Sequence, residues 1–329
     1  MWKSSLSFSI PLLPEHMLEG MGCSNLVLGT LVLFLLLETV IGRSSNRNSL
    51  ALASYRTNFS ALLLNDILIA LLSVPSLLIL AGNWALFHPI QALTPQWRLP
   101  ATLVLLDLTL YLWHRTCHIL PWLWWFHRVH HSDPFVNVTT AFRLHFLEIL
   151  GVSLVKAAFV MVTGVSAELL LAADTLIVLW VMGIHANLNL AGERWLKWLF
   201  TVPSLHRLHH SVRRSEHDHN YGFLFSLWDR LLGTLAVGKP ARIGLDGLVT
   251  TGWGALLSPL PLPQTNTQTG PAAAPVPLYR MIAEAAYYQA ERRGFAPGFE
   301  LEDWLEAERQ IQGTVANQSM SHLTQYFQE

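Results

Sequence analysis

Five apolar runs dominate this chain, and they restrict its fold severely. A segment lying in hydrocarbon must satisfy its own backbone polar groups, which leaves helices or closed barrels. Asn25–Gly42, Leu62–Ala81 and Leu99–Trp113 approach the roughly 20 residues a spanning helix needs, the third only by continuing into the His114 turn. Phe146–Gly164 and Leu169–Ile184 follow, and the brevity of the last suggests a tilted or shallow hairpin rather than two clean spans. Charged residues make up 13% of the chain, against about 25% in soluble domains. The 13 tryptophans suit membrane interfaces. A net charge of −1 provides no basic field for nucleic acid. The N-terminus reads as a poor signal peptide, because the first good apolar run starts only after Cys23. The expected fold class is an all-α integral membrane protein with about four to five membrane helices.

Charge asymmetry predicts orientation. The Arg43–Arg56 loop holds three arginines, whereas Gly82–Trp97 has no charged residue and is rich in aromatics and proline. The positive-inside rule puts the arginine loop in the cytoplasm. The second run then leads out, the third returns His114 to the cytoplasmic face, and the hairpin brings His185 to the same face.

Three histidine clusters converge there: His114 and His118 in HRTCH, His127, His130 and His131 in HRVHH, and His206, His209 and His210 in HRLHH. Helical residues i, i+3 and i+4 share a face, so each cluster offers a metal two or three imidazoles. Eight imidazoles on one face imply more than one ion in a helical, cytoplasmic di-metal cap. Structural zinc takes four ligands, often including cysteine. A histidine set with no cysteine pair suits two irons with open positions for oxygen. Cys23 and Cys117 do not suggest a disulfide, since Cys117 lies within the first cluster. Asp107 and Tyr111 extend the His114–His118 stripe at helical spacing, and Asp107 can fix the tautomer of a ligand imidazole or simply bond between helices. His217 and His219 read as a solvated polar turn. Arg128, Arg143, Arg207, Arg213 and Arg214 suit headgroup contact, an anionic substrate head or positive-inside anchoring.

The stretch Asp107–Thr234 resembles the fatty acid hydroxylase / sterol desaturase superfamily of integral membrane di-iron enzymes, in its bacterial branch. The resemblance is carried by DLTLYLWHRTCH, LWWFHRVHHSD, TAFRLHFLE, HANL, TVPSLHRLHHS and NYGFLFSLWDRLLGT. It implies that the eight clustered histidines are metal ligands, with His185 of HANL as a ninth. It places Asn189 where some members have another histidine. It marks His145 of RLHFLE, beside Glu148 and Arg143, as a supporting residue, with Phe146 where the family pattern has proline. It further implies two iron ions, O2 as co-substrate and a lipid substrate hydroxylated at an unactivated C–H bond. Desaturation on the same scaffold is the alternative, and a membrane metal transporter or metal-binding protein is the rival from another class. Clustering of the histidines at one face disfavours transport. No haem, dinucleotide or iron–sulfur motif is present, so a separate ferredoxin, cytochrome or flavoprotein reductase must supply electrons. The implied setting is a bacterial inner membrane.

The domain organisation expected is membrane helices over 1–98, a catalytic domain over 99–262, a Pro/Thr/Ala-rich linker over 263–277, a small helical module over 278–312 and a polar tail over 313–329. In the module, Leu278–Arg293 reads as an amphipathic helix stopped by Gly294 and Pro297, followed by a helix over Glu300–Gln312. Its RGF…G…LEDWL…AE pattern resembles a short bacterial domain of unknown function, with Tyr287 and Trp304 as packing residues.

Overall fold

Proline and glycine fix where the helices begin and end. The computed structural model describes residues 15–42, 49–72, 78, 81–240, 242–245, 252, 256 and 282–312 apart from 284, 288, 291, 292, 294 and 295. The linker 263–277, the tail 313–329, Arg43 and Arg47 of the basic loop, and Asp246–Leu248 lie outside them. The chain divides into two compact units, Met1–Gln264 and Thr265–Glu329.

Among the described residues, the helices of the first unit that position the site are α1 (Glu15–Ile41), α2 (Ser49–Leu71), α3 (Pro95–Ile119), α4 (Pro121–His131), α5 (Phe146–Thr163), α6 (Ala167–His185) and α7 (Pro203–His209). A 3-10 turn, Val138–Phe142, links α4 to α5. Among the described residues, β structure is limited to isolated bridges, Phe200 with Phe225 and Ser211 with Ile243.

Pro121 sets the junction that matters most. A residue before proline is driven out of the helical region, and Leu120 is extended at φ −89°, ψ 117°. The chain therefore bends between α3 and α4, and the first two histidine clusters come to face each other. Pro203 opens α7 in the same way, behind an extended Val202. Gly164 closes α5 in the left-handed region at φ 61°, where a Cβ would meet the Phe87 carbonyl oxygen at 2.5 Å. Ser166 caps α6 by accepting from Leu169 N. These residues force α5 and α6 into a tight hairpin, which the Lys156–Asp174 ion pair ties across.

Cys23–Ile41, Phe146–Thr163 and Ala167–His185 are long and apolar enough to cross a membrane. The hairpin helices are thus fuller spans than the sequence suggested. Only residues 62–71 of the second apolar run fall in α2, which begins at Ser49 and ends at Leu71. An apolar core of α3, α5 and α6 residues, including Leu106, Leu110, Phe159 and Ile177, lies beneath the histidines.

Two buried carboxylates lock α1 and α2 to this frame. Glu38 accepts from Tyr55 OH (2.7 Å), Val138 N (2.8 Å) and Asn187 N (2.7 Å). Asp133 accepts from Ser54 Oγ (2.7 Å), Asn58 Nδ2 (2.8 Å) and Thr140 Oγ1 (2.7 Å). Arg143 is fully buried and donates to Val129 O, Asn58 Oδ1 and Ser132 Oγ. It braces the second cluster, which corrects its reading as a headgroup contact. Arg207 donates to Asn187 Oδ1.

In the second unit, residues 300–312 are helical. Ile282, Ala286 and Ala307 form a small core with Ala285, Trp304 and Ile311. Arg293 pairs with Asp303 and lies over the Phe299 ring. Trp304 packs as expected, whereas Tyr287 is 45% exposed.

Candidate metal centre

All nine histidines singled out in the sequence are buried, none more than 5% exposed. They form two groups whose nitrogens lie within 4.8 Å of one another: His114, His118, His127, His131 and His209 in one, and His130, His185, His206 and His210 in the other. This corrects the expectation that each cluster presents one shared face. The second and third clusters are both divided. Successive helical side chains diverge by about 100°, so His130 and His131 serve different groups, as do His209 and His210. The i, i+4 pairs stay together: His127 with His131, and His206 with His210.

Hydrogen bonds around the periphery fix the ring orientations. His127 Nδ1 contacts Glu148 Oε1 at 2.6 Å, and His118 Nδ1 contacts Asp218 Oδ1 at 3.1 Å. His114 Nδ1 faces Tyr221 O (2.8 Å), His209 Nδ1 faces His219 O (2.7 Å), and His185 Nδ1 faces Val181 O (2.7 Å). Each acceptor is an oxygen, so the proton of these neutral imidazoles sits on Nδ1 and the bare Nε2 points inward.

The inward contacts test whether cations fit. His114 Nε2 is 3.0 Å from both His127 Nε2 and His209 Nε2. In the other group, His206 Nε2 lies 2.8 Å and His130 Nε2 3.2 Å from His185 Nε2. With the protons on Nδ1, the 114–127 and 114–209 contacts set lone pair against lone pair and cannot be hydrogen bonds. A common cation resolves this. Two nitrogens about 2.1 Å from one ion at right angles stand about 3.0 Å apart. His118 Nε2 has no hydrogen-bond partner although it is buried. The donor set and its spacing fit a transition metal in each group.

Burial, then the charge of neighbouring imidazoles, holds His130, His131, His206 and His210 well below the ordinary imidazole pKa. His209 is lowered in the same way, with the His219 carbonyl working in the opposite sense. Neutral imidazole is the form that binds metal.

The surrounding residues behave unevenly. Glu148 meets the His127 imidazole. Asp107 does not: its carboxylate accepts from Leu224 N (2.8 Å), Phe225 N (3.1 Å) and Trp228 Nε1 (2.8 Å). It therefore anchors the segment whose Tyr221 carbonyl holds His114. Tyr111 lies a step further out, bonded to Thr234 Oγ1 (2.8 Å), its ring edge-on to Tyr221. His145 caps α5 by accepting from Leu147 N (3.2 Å) and packs on Phe126, with no bond to Glu148 or Arg143 among those described. Asn189 is exposed, and the buried asparagine of that turn is Asn187. A metal-supporting role for Asn189 is thereby corrected. His217 is buried too, stacked on Trp124 at 5.1 Å and bonded to Ser211 O, rather than solvated. His219 is half-buried. Sequence reasoning missed Asp218 and the Tyr221 and His219 carbonyls; a carboxylate between two histidines in HDH was the available signal.

A cavity of about 270 Å³ opens from His114, His127, His130, His185 and His206 and runs between α2, α5 and α6. Its walls are mostly aliphatic and aromatic, including Ile149, Val152, Ile177, Val181, Trp113 and Phe223.

These features define an all-helical protein of the integral membrane type, with a nine-histidine centre at one end of its apolar helices and an apolar cavity leading to it. Residues 99–234 match the fatty acid hydroxylase family, which supports the superfamily resemblance read from the sequence. Residues 277–313 match a protein of unknown function, DUF2934. The chain is 33% identical over 169 residues to ornithine lipid hydroxylase OlsE of Rhizobium tropici, covering 47% of this chain and 48% of that protein. It is 30% identical over 145 residues to alkylglycerol monooxygenase of Caenorhabditis elegans, covering 44% and 28%. It is 27% identical over 161 residues to human cholesterol 25-hydroxylase, covering 43% and 52%. The chain thus spans about half or less of the length of these relatives. No solved structure matches it.

Proposed function

We propose that this protein is a membrane-bound, O2-dependent di-iron enzyme that hydroxylates an unactivated C–H bond of a lipid. The observation that carries this reading is the joining of two imidazole groups to one apolar cavity. His114, His118, His127, His131 and His209 would hold one iron, and His130, His185, His206 and His210 the other. Bound iron would supply O2 activation and attack on the C–H bond, chemistry that no side chain here can perform.

The residues of the chain do the rest. Glu148, Asp218 and three backbone carbonyls hold imidazole protons at Nδ1 and keep Nε2 available. The aliphatic cavity walls align a hydrocarbon chain and exclude bulk water. Relatives named as hydroxylases and monooxygenases of ornithine lipid, alkylglycerol and cholesterol favour a lipid substrate. Electrons come from a separate ferredoxin, cytochrome or flavoprotein reductase. The setting is a bacterial inner membrane, α2 and α3 complete the membrane helices, and the arginine distribution supports a centre facing the cytoplasm.

Mössbauer spectroscopy and metal analysis of detergent-purified protein grown on enriched iron test the reading. The expected result is an exchange-coupled iron pair per chain, lost in His127→Ala. Stoichiometric zinc under iron-replete growth, with no coupled iron, would overturn it.

A further inference from the structure

The cavity ends on an ion pair. Lys156 Nζ lies 2.6 Å from Asp174 Oδ1 and 2.8 Å from Oδ2, and both residues line the cavity. On α5 the lining positions are Glu148, Ile149, Val152 and Lys156, and on α6 they run from His185 back to Asp174, so each helix gives one continuous face. Charges within spans are rare and mark function by default. Only 18% of the lysine side chain and 28% of the aspartate are exposed.

We propose that Lys156 and Asp174 read a neutral hydroxyl group on the substrate, so that the cavity selects a single-chain lipid alcohol. This rests on the catalytic reading above and names its substrate class. A hydroxyl accepts from the ammonium while donating to the carboxylate, and it completes the pair without adding charge. A carboxylate on the substrate faces Asp174, an ammonium faces Lys156, and either brings an unbalanced charge into an apolar cavity. The pair also sets a ruler. Eight residues separate Lys156 from Glu148 and eleven separate Asp174 from His185, which at the helical rise is about 12 to 16 Å. An extended chain advances about 1.25 Å per bond from ordinary tetrahedral geometry. Oxidation then falls roughly ten to thirteen bonds from the hydroxyl.

The test is equilibrium binding of tritiated dodecan-1-ol, dodecanoic acid and dodecane to the full-length chain in detergent, without O2 and referenced to empty micelles. The alcohol should bind about tenfold more tightly than either of the others, the worth of a net hydrogen bond. The double variant Lys156→Met with Asp174→Leu removes both charges together, and it should bind alcohol and alkane alike while keeping the iron content of the unaltered chain. A second measurement needs no variant: 1-methoxydodecane accepts a hydrogen bond but cannot donate one, and should bind as weakly as dodecane. Equal binding of alcohol and alkane by the unaltered chain would overturn the proposal. So would an unchanged preference in the double variant, as expected if the pair only pins the hairpin. Failure of the catalytic reading shows separately, as a lack of iron in the same preparation.

Discussion

Glu148 gives the sharpest perturbation of the centre. Its Oε1 lies 2.6 Å from His127 Nδ1, and both side chains are more than nine-tenths buried. Replacement by leucine leaves the Nδ1 proton with no acceptor in an apolar wall. Imidazole can then shift that proton to Nε2, which removes the lone pair aimed at the five-histidine group. A hydrogen bond to a charged group contributes about 1.5–3 kcal/mol. Loss of such a support typically lowers metal affinity by about 10–100-fold, or about 1.4–2.7 kcal/mol. Glu148→Gln keeps the volume and an acceptor oxygen but not the charge, so a loss of about tenfold is expected, against about a hundredfold for Glu148→Leu. The assay is iron release to a chelator, titrated on detergent-purified protein with circular dichroism confirming the helices. Release should become biphasic, with one iron leaving early and the other at the unaltered chelator concentration, because Glu148 touches only one group. Unchanged affinity in Glu148→Leu, or equal loss of both irons, would refute the reasoning.

Asp107→Ala should lower stability by about 3 kcal/mol, since it orphans three donors in a buried segment; a melting temperature within a degree of the unaltered protein would contradict that anchoring role. Gly222→Ala should destabilise by about 1–3 kcal/mol, because a Cβ there would collide with Phe225 O and meet Thr201 Oγ1 at 2.7 Å; the check is chemical denaturation. Acid should destabilise the metal-free protein. The folded pKa values of His130, His131, His206, His209 and His210 lie below the unfolded value of about 6.5, so their contribution is present above that pH and is lost as the unfolded chain takes up protons. Asp229, raised to about 6 by burial, acts oppositely between about pH 4 and 6. Melting at pH 5.5 should therefore fall below melting at pH 7.5, and a flat profile would count against the buried neutral cluster.

Apolar length and spacing make the helical class and the eight clustered histidines readable, because both are local properties, whereas His185 is implied only by the family resemblance. The supporting residues were less legible. Glu148 is close in sequence to a recognisable pattern, whereas Asp218 lies 100 residues from His118. The Tyr221 and His219 carbonyls carry no side-chain signature at all. The helical stripe of Asp107 leaves open whether it meets an imidazole or bonds between helices, and its actual partners come from residues 224–228, which only the fold brings near.

Composition and i, i+4 spacing act within one element, so the amino-acid string is enough to show a helical chain, apolar enough for a membrane, with eight of its fifteen histidines in three clusters. How the imidazoles divide into two groups depends on the packing of the helices. His130 and His131 are neighbours in the chain yet belong to different groups, because about 100° of helical rotation separates them and His206 and His209 approach from α7 on either side. Tertiary structure also placed Lys156 opposite Asp174 at the far end of the cavity. Such a juxtaposition depends on how two helices align across the Gly164 turn, and no local pattern encodes it.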